Sequence, residues 1–124
     1  MSSTEWTLLI VAGGIGAGAR YIVNGLVMRG RRAAFPLGIL IVNVSGSFVL
    51  GLLTALAALA PVWLAIVGTG LVGGFTTFST VMVDTVLLAQ RRRREWAWLN
   101  LVGTLLACVV AAALGILIGG LFPR

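Results

Sequence analysis

One run, Gly73-Gly74-Phe75-Thr76-Thr77-Phe78-Ser79-Thr80, gathers the groups best suited to handling an ion. Its hydroxyls donate and accept hydrogen bonds, and the edge of a phenyl ring is the positive end of its quadrupole, so the run can face an anion. Paired glycines ahead of β-branched hydroxyl residues favour a broken helix, with a merely kinked one as the other reading. A break would expose carbonyls that hold a cation and helix ends that meet an anion. Further polar groups stand inside otherwise apolar stretches: Arg20, Asn24, Asn43, Asp84, Asn100 and Thr104. Asn43, Thr77, Ser79, Thr80 and Thr104 are neutral donors, which suits a small, hard, strongly hydrated anion if enough of them replace its water. Arg20 and Asp84 either pair with each other or snorkel separately to the headgroups.

What the chain lacks narrows the chemistry further. Histidine is absent and Cys108 is the single cysteine, which excludes a disulfide framework, a His/Cys metal site and a His-based triad. No nucleophile–base arrangement remains for an enzyme. Cys108 reads as a small apolar filler. No span carries a lone buried Glu, which argues against a proton-coupled cation exporter, and Glu5 precedes the first span instead of sitting in its middle, as a small multidrug exporter needs.

These groups require elements that hold them at membrane depth. Of 124 residues, 60% are hydrophobic and 10% charged, and the mean hydropathy is +1.11, the composition of an integral membrane protein. A spanning helix takes roughly 20 apolar residues. Four such blocks lie at about 6–28, 37–59, 62–89 and 96–122, an all-α single membrane domain over residues 1–124. Gly14-xxx-Gly18, Ser47-xxx-Gly51 and Gly115-xxx-Gly119 let helix backbones approach closely. Trp6, Trp63, Trp96 and Trp98 sit near span ends, where amphipathic rings favour the interface.

The net charge of +6 is carried by nine arginines against three acids. Arg29, Arg31 and Arg32 occupy the first loop and Arg91, Arg92, Arg93 and Arg94 the third, while the second loop has none. Loops one and three lie on one face, so the positive-inside rule expects both in the cytoplasm and both termini outside. The tetra-arginine run reads as a topology determinant, with anionic-lipid contact as the lesser reading. Nucleic acid is not the expected partner.

The run Gly73 to Thr80 resembles the CrcB/Fluc fluoride channel family. Agreement extends to Gly13-Gly14-Ile15-Gly16-Ala17 with Arg20-Tyr21, to Gly38, Val42-Asn43, Gly46 and Gly51, and to Leu114-Gly115, covering essentially the whole chain in order. The resemblance implies a dual-topology family: an antiparallel dimer in the plasma or inner membrane, with two fluoride pathways along the subunit interface and passive export that lowers toxicity. It also implies a central structural Na+ that is not transported, held by the carbonyls of Gly73 and Thr76. The fluoride pathway falls on Asn43, Phe78, Ser79, Thr80 and Thr104, and Arg20 and Asp84 match structural polar positions. The chain departs from the family pattern at Val81, where a second phenylalanine often stands, at Asn100, where a tyrosine is common, and at Ile39, where threonine is frequent. With the lopsided loop charge, these departures lead to the expectation of an inverted CrcB/Fluc-like partner of opposite charge bias, a homodimer being the other reading. The alternative function is a non-conducting structural subunit that stabilises such a partner.

Overall fold

The computed structural model describes residues 1–31, 35–57 and 60–122. Arg32 of the first loop, Leu59 at the expected end of span 2 and the terminal Arg124 lie outside the described residues.

Helix α1 runs Ser3–Val27. It starts earlier than hydropathy alone indicates because Ser2 and Glu5 form a capping box: the Glu5 N–H donates to Ser2 Oγ at 3.3 Å and the Ser2 N–H to Glu5 Oε2 at 2.7 Å. Helix α2 spans Leu37–Ala55, shorter than its apolar block. Helix α3 covers residues 61–75, opening with Pro61 at its first turn and passing through a π-wound stretch, Leu64–Val72. After a non-helical link, α4 runs Ser79–Gln90. Helix α5, Arg94–Gly119, begins outside its apolar block and carries a second π-wound stretch, Leu99–Gly103. Ser3–Val27, Leu37–Ala55, Pro61–Gln90 and Arg94–Gly119 are each long and apolar enough to cross a membrane. The described residues contain no strand, and the third span is broken.

The burial pattern is that of a lipid-facing bundle. Ile10, Ile22, Leu105 and Leu117 are all more than half exposed, whereas the interior is a narrow seam of Ile39, Val42, Ile66, Val72, Val81, Leu88 and Ala111. Lipid is as apolar as leucine, so helix association depends on close packing and buried polar contacts. The most extensive contact joins α2 to α5. There a Cβ at Gly51 would run into the Ala112 backbone, and one at Gly115 into the Phe48 carbonyl. Gly74 presses likewise on Gly13, which brings α1 against the end of α3. Gly14 and Gly18 behave differently: both face open space, so this pair does not serve packing within the chain.

Candidate functional site

The site is built around the link between α3 and α4. Thr76 leaves the helix with φ −79° and ψ 155°, extended backbone that would strand its neighbours' polar groups in apolar surroundings. Asn43 of α2 resolves this for Thr77. Its Oδ1 accepts the Thr77 N–H at 2.8 Å, and its Nδ2 donates to the Thr77 carbonyl at 2.8 Å. One side-chain amide thus replaces both helical bonds of a residue. Because the Thr77 N–H is engaged there, the Gly73 carbonyl gives up its ordinary partner four residues on. The Thr77 hydroxyl accepts the Thr80 N–H at 3.2 Å and donates to Thr80 Oγ1 at 3.3 Å, capping the restarted helix. The Thr76 hydroxyl folds back on the Val72 carbonyl at 3.0 Å.

Arg20 reaches this link from α1. Its Nη1 donates to the Thr76 carbonyl at 3.2 Å, and among the described residues no ion pair joins it to Asp84. The physical reason is local: the break frees a carbonyl beside α1, while Asp84 lies about one and a half turns into α4, half-buried. Pairing within one chain, one of the two readings of these residues, is therefore not what the structure shows.

An open-sided groove of about 760 Å³ runs along the link between α2, α4 and α5, lined by Asn43, Gly73, Thr76, Phe78, Val81 and Thr104 among others. Asn43 keeps one N–H of its amide unused by Thr77. Thr104 is 6% exposed, and its Oγ1 is buried without a hydrogen-bond partner. A buried hydroxyl left unpaired costs free energy, and the residue that carries it lines the groove. Phe78 is 77% exposed, its ring standing out from the single chain beside the groove. Ser79 and Thr80, expected on the same path, do not line it. The restarted helix carries Ser79 to the exposed side, and the Thr80 hydroxyl is held by Thr77.

Two polar lining residues, Ser47 and Cys108, escaped the sequence reading. Ser47 stands one turn after Asn43, and Cys108 one turn after Thr104, so each continues a polar stripe along its helix. Cys108, read above as an apolar filler, borders the groove; its four-residue spacing from Thr104 was the available signal. Of the three departures from the family pattern, only Val81 lines the groove. Ile39 is buried elsewhere in the seam, at 5% exposure. Asn100, 2% exposed, turns into the bundle, where its Nδ2 donates to the Val81 carbonyl at 3.3 Å and to Thr85 Oγ1 at 3.0 Å. It ties α5 to α4 and is not a gap in the groove wall.

Residues 7–116 match the family model described as CrcB-like protein, Camphor Resistance (CrcB). The chain is 49% identical over 114 residues to "Fluoride-specific ion channel FluC 1" of Leifsonia xyli subsp. xyli, covering 90% of this chain and 83% of that protein. It is 45% identical to "Fluoride-specific ion channel FluC" of Shewanella amazonensis, over 87% of this chain and 90% of the relative. A further "Fluoride-specific ion channel FluC 1", from Rubrobacter xylanophilus, is 40% identical over 93% of both chains. The four membrane-crossing helices, the broken third span with its asparagine splint and the match along nearly the whole chain agree: this is a multi-pass membrane protein that belongs to the CrcB family.

Proposed function

We propose that the chain is a subunit of a fluoride-selective channel that lets cytoplasmic fluoride leave the cell passively. The observation that carries this reading is the unpartnered, buried Thr104 hydroxyl on a groove shared with the spare N–H of Asn43 and the ring of Phe78. Neutral donors and a ring edge compensate an anion's lost hydration without trapping it, as a fixed cation would. The names of the relatives supply the identity of the ion. Fluoride enters acid-exposed cells as the neutral acid and ionises inside, so a passive exit is enough to prevent its accumulation.

The groove is one-sided in a single chain, and Phe78 projects from it, which supports assembly as an antiparallel dimer. Seven loop arginines on one face support a fixed orientation, with loops one and three cytoplasmic and both termini outside. A subunit inserted one way only needs a different, inverted partner, so a heterodimer is the preferred assembly. The link also offers an oxygen donor set suited to a hard cation. The Gly73 carbonyl has lost its helical partner, while the Thr76 carbonyl would have to exchange the Arg20 guanidinium for the ion, because two cations on one oxygen repel. These two carbonyls would hold a structural Na+ that steadies the break without being transported.

Fluoride efflux from liposomes, followed with a fluoride electrode, tests the proposal in three preparations: the chain alone, the chain with an inverted CrcB-type partner, and that pair with Phe78→Ile. Efflux that falls on Phe78→Ile supports a conducting subunit. Efflux from the pair that ignores Phe78→Ile favours the second reading, a structural subunit whose Val81 leaves its own groove incomplete. No efflux in any preparation refutes the channel. Tags on the chain expressed alone should report both termini on the outer face only; equal labelling on both faces would remove the heterodimer argument.

A further inference from the structure

The tetra-arginine segment is a formed turn, not a frayed run of charge. Helix α4 ends with the Arg93 N–H donating to the Leu88 carbonyl at 2.9 Å, the Arg92 N–H to Ala89 at 3.1 Å and the Arg91 N–H to Leu87 at 3.0 Å. The first two bonds make a Schellman closure, whose left-handed position ordinarily takes glycine. Here it is Arg92, at φ 59°, the one non-glycine residue with positive φ among the described residues. A side chain in that conformation is strained, and persistent strain calls for a reason. Backbone N–H groups satisfy the carbonyls of Leu87, Leu88 and Ala89, and among the described residues no guanidinium of the turn bonds a carbonyl of α4.

The turn is fastened to an aromatic pair. The Arg93 guanidinium carbon lies 4.5 Å from the centroid of the Trp96 ring, and Phe35 meets Trp96 edge-on, with centroids 6.0 Å apart and planes at 78°. Phe35 belongs to the first loop, so this pair draws loops one and three to one rim. A guanidinium stacked on a ring keeps its in-plane N–H groups free for a planar, bidentate partner. Among the described residues, Arg29, Arg31 and all four arginines of the turn are exposed, and none makes a side-chain hydrogen bond or ion pair. Glu95, the carboxylate next to the turn, is exposed and answers none of them.

The rim caps helices that cross the bilayer, and its tryptophan and arginines are the residue types that lodge among phospholipid headgroups. We propose that it is a binding site for the phosphate of an anionic phospholipid, with Arg91, Arg92 and Arg93 as phosphate ligands and the Phe35–Trp96 pair packed against the lipid below the headgroup. Charge complementarity selects this occupant, because the turn presents several unpaired cations at the depth where the membrane holds its phosphates. The proposal is independent of ion conduction.

The test uses the full chain with Trp6, Trp63 and Trp98 changed to Phe, in vesicles of phosphatidylcholine with a minority of phosphatidylglycerol, one or the other brominated. Quenching of Trp96 should report phosphatidylglycerol enriched about threefold over its bulk fraction. Arg92→Gly relieves the strained backbone and keeps the fold, yet should lower the enrichment. Arg91→Gln with Arg92→Gln should bring it to the bulk value, while Arg29→Gln with Arg31→Gln should leave most of it. Equal quenching by the two brominated lipids overturns the proposal. So does equal loss from either pair of substitutions, which would mean a diffuse field. Displacement by inorganic phosphate at matched ionic strength would assign the turn to a soluble anion and overturn the lipid assignment.

Discussion

Asn43, Asn100 and Thr104 are all buried polar residues at membrane depth, yet their hydrogen bonds assign them different work. Asn43 holds both backbone groups of Thr77. Replacing it with Ala should therefore destabilise the protein by about 2 kcal/mol, read as a lower Tm in detergent, and should abolish flux with it. Asn100 and Thr104 separate stability from conduction. Asn100→Leu removes the donor to Val81 and Thr85 and should cost about 1 kcal/mol, with fluoride flux largely retained. Thr104→Val removes a hydroxyl that has no partner, so stability should hold or rise slightly while flux falls severalfold. Melting curves and liposome efflux on the two variants decide the assignment. Cys108 adds a chemical probe at the same scale: a small thiol reagent should reduce flux, and Cys108→Ala should be insensitive to it.

At the scale of elements, the glycines divide by what faces them. The Gly115-xxx-Gly119 pair and Gly51 sit in the α2–α5 seam as their spacing suggests, whereas Gly14 and Gly18 look outward. Gly74→Ala places a methyl group on the Gly13 backbone of α1 and should cost about 1–3 kcal/mol, since backbone has nowhere to move. Gly18→Ala should leave the Tm of the isolated chain unchanged. A shift in dimer association on Gly18→Ala, with the monomer's melting unaltered, would place the partner on that face of α1. The break in α3–α4 was legible in the run of glycines and hydroxyls; its splint was not. Asn43 precedes Thr77 by 34 residues, and no local pattern reveals which amide meets which backbone.

For the whole molecule, the arginines are the dominant asymmetry. If the chain inserts one way only, as proposed, changing Arg91, Arg92, Arg93 and Arg94 together to Gln should turn that orientation into a mixture, measured by protease access to terminal tags. If orientation stays single, the first loop alone sets it. The exposed apolar surface of the bundle is extensive, as expected where lipid or a second subunit replaces water. The groove beside Phe78 is one polar interruption in that surface, and the proposed assembly would close over it.

Class, span number, the region of the break and the family are determined by the sequence itself, because they rest on composition, on apolar block length and on an ordered motif, all local or linear properties. Only the tertiary structure decides that Arg20 bonds Thr76 instead of Asp84, that Asn100 turns away from the groove, and that Ser47 and Cys108, not Ser79 and Thr80, line it in the single chain. Those outcomes depend on how far one helix is rotated against another. A rotation of about 100° per residue moves a side chain from the groove wall to the bundle interior, and no spacing within a single helix records its neighbour's position.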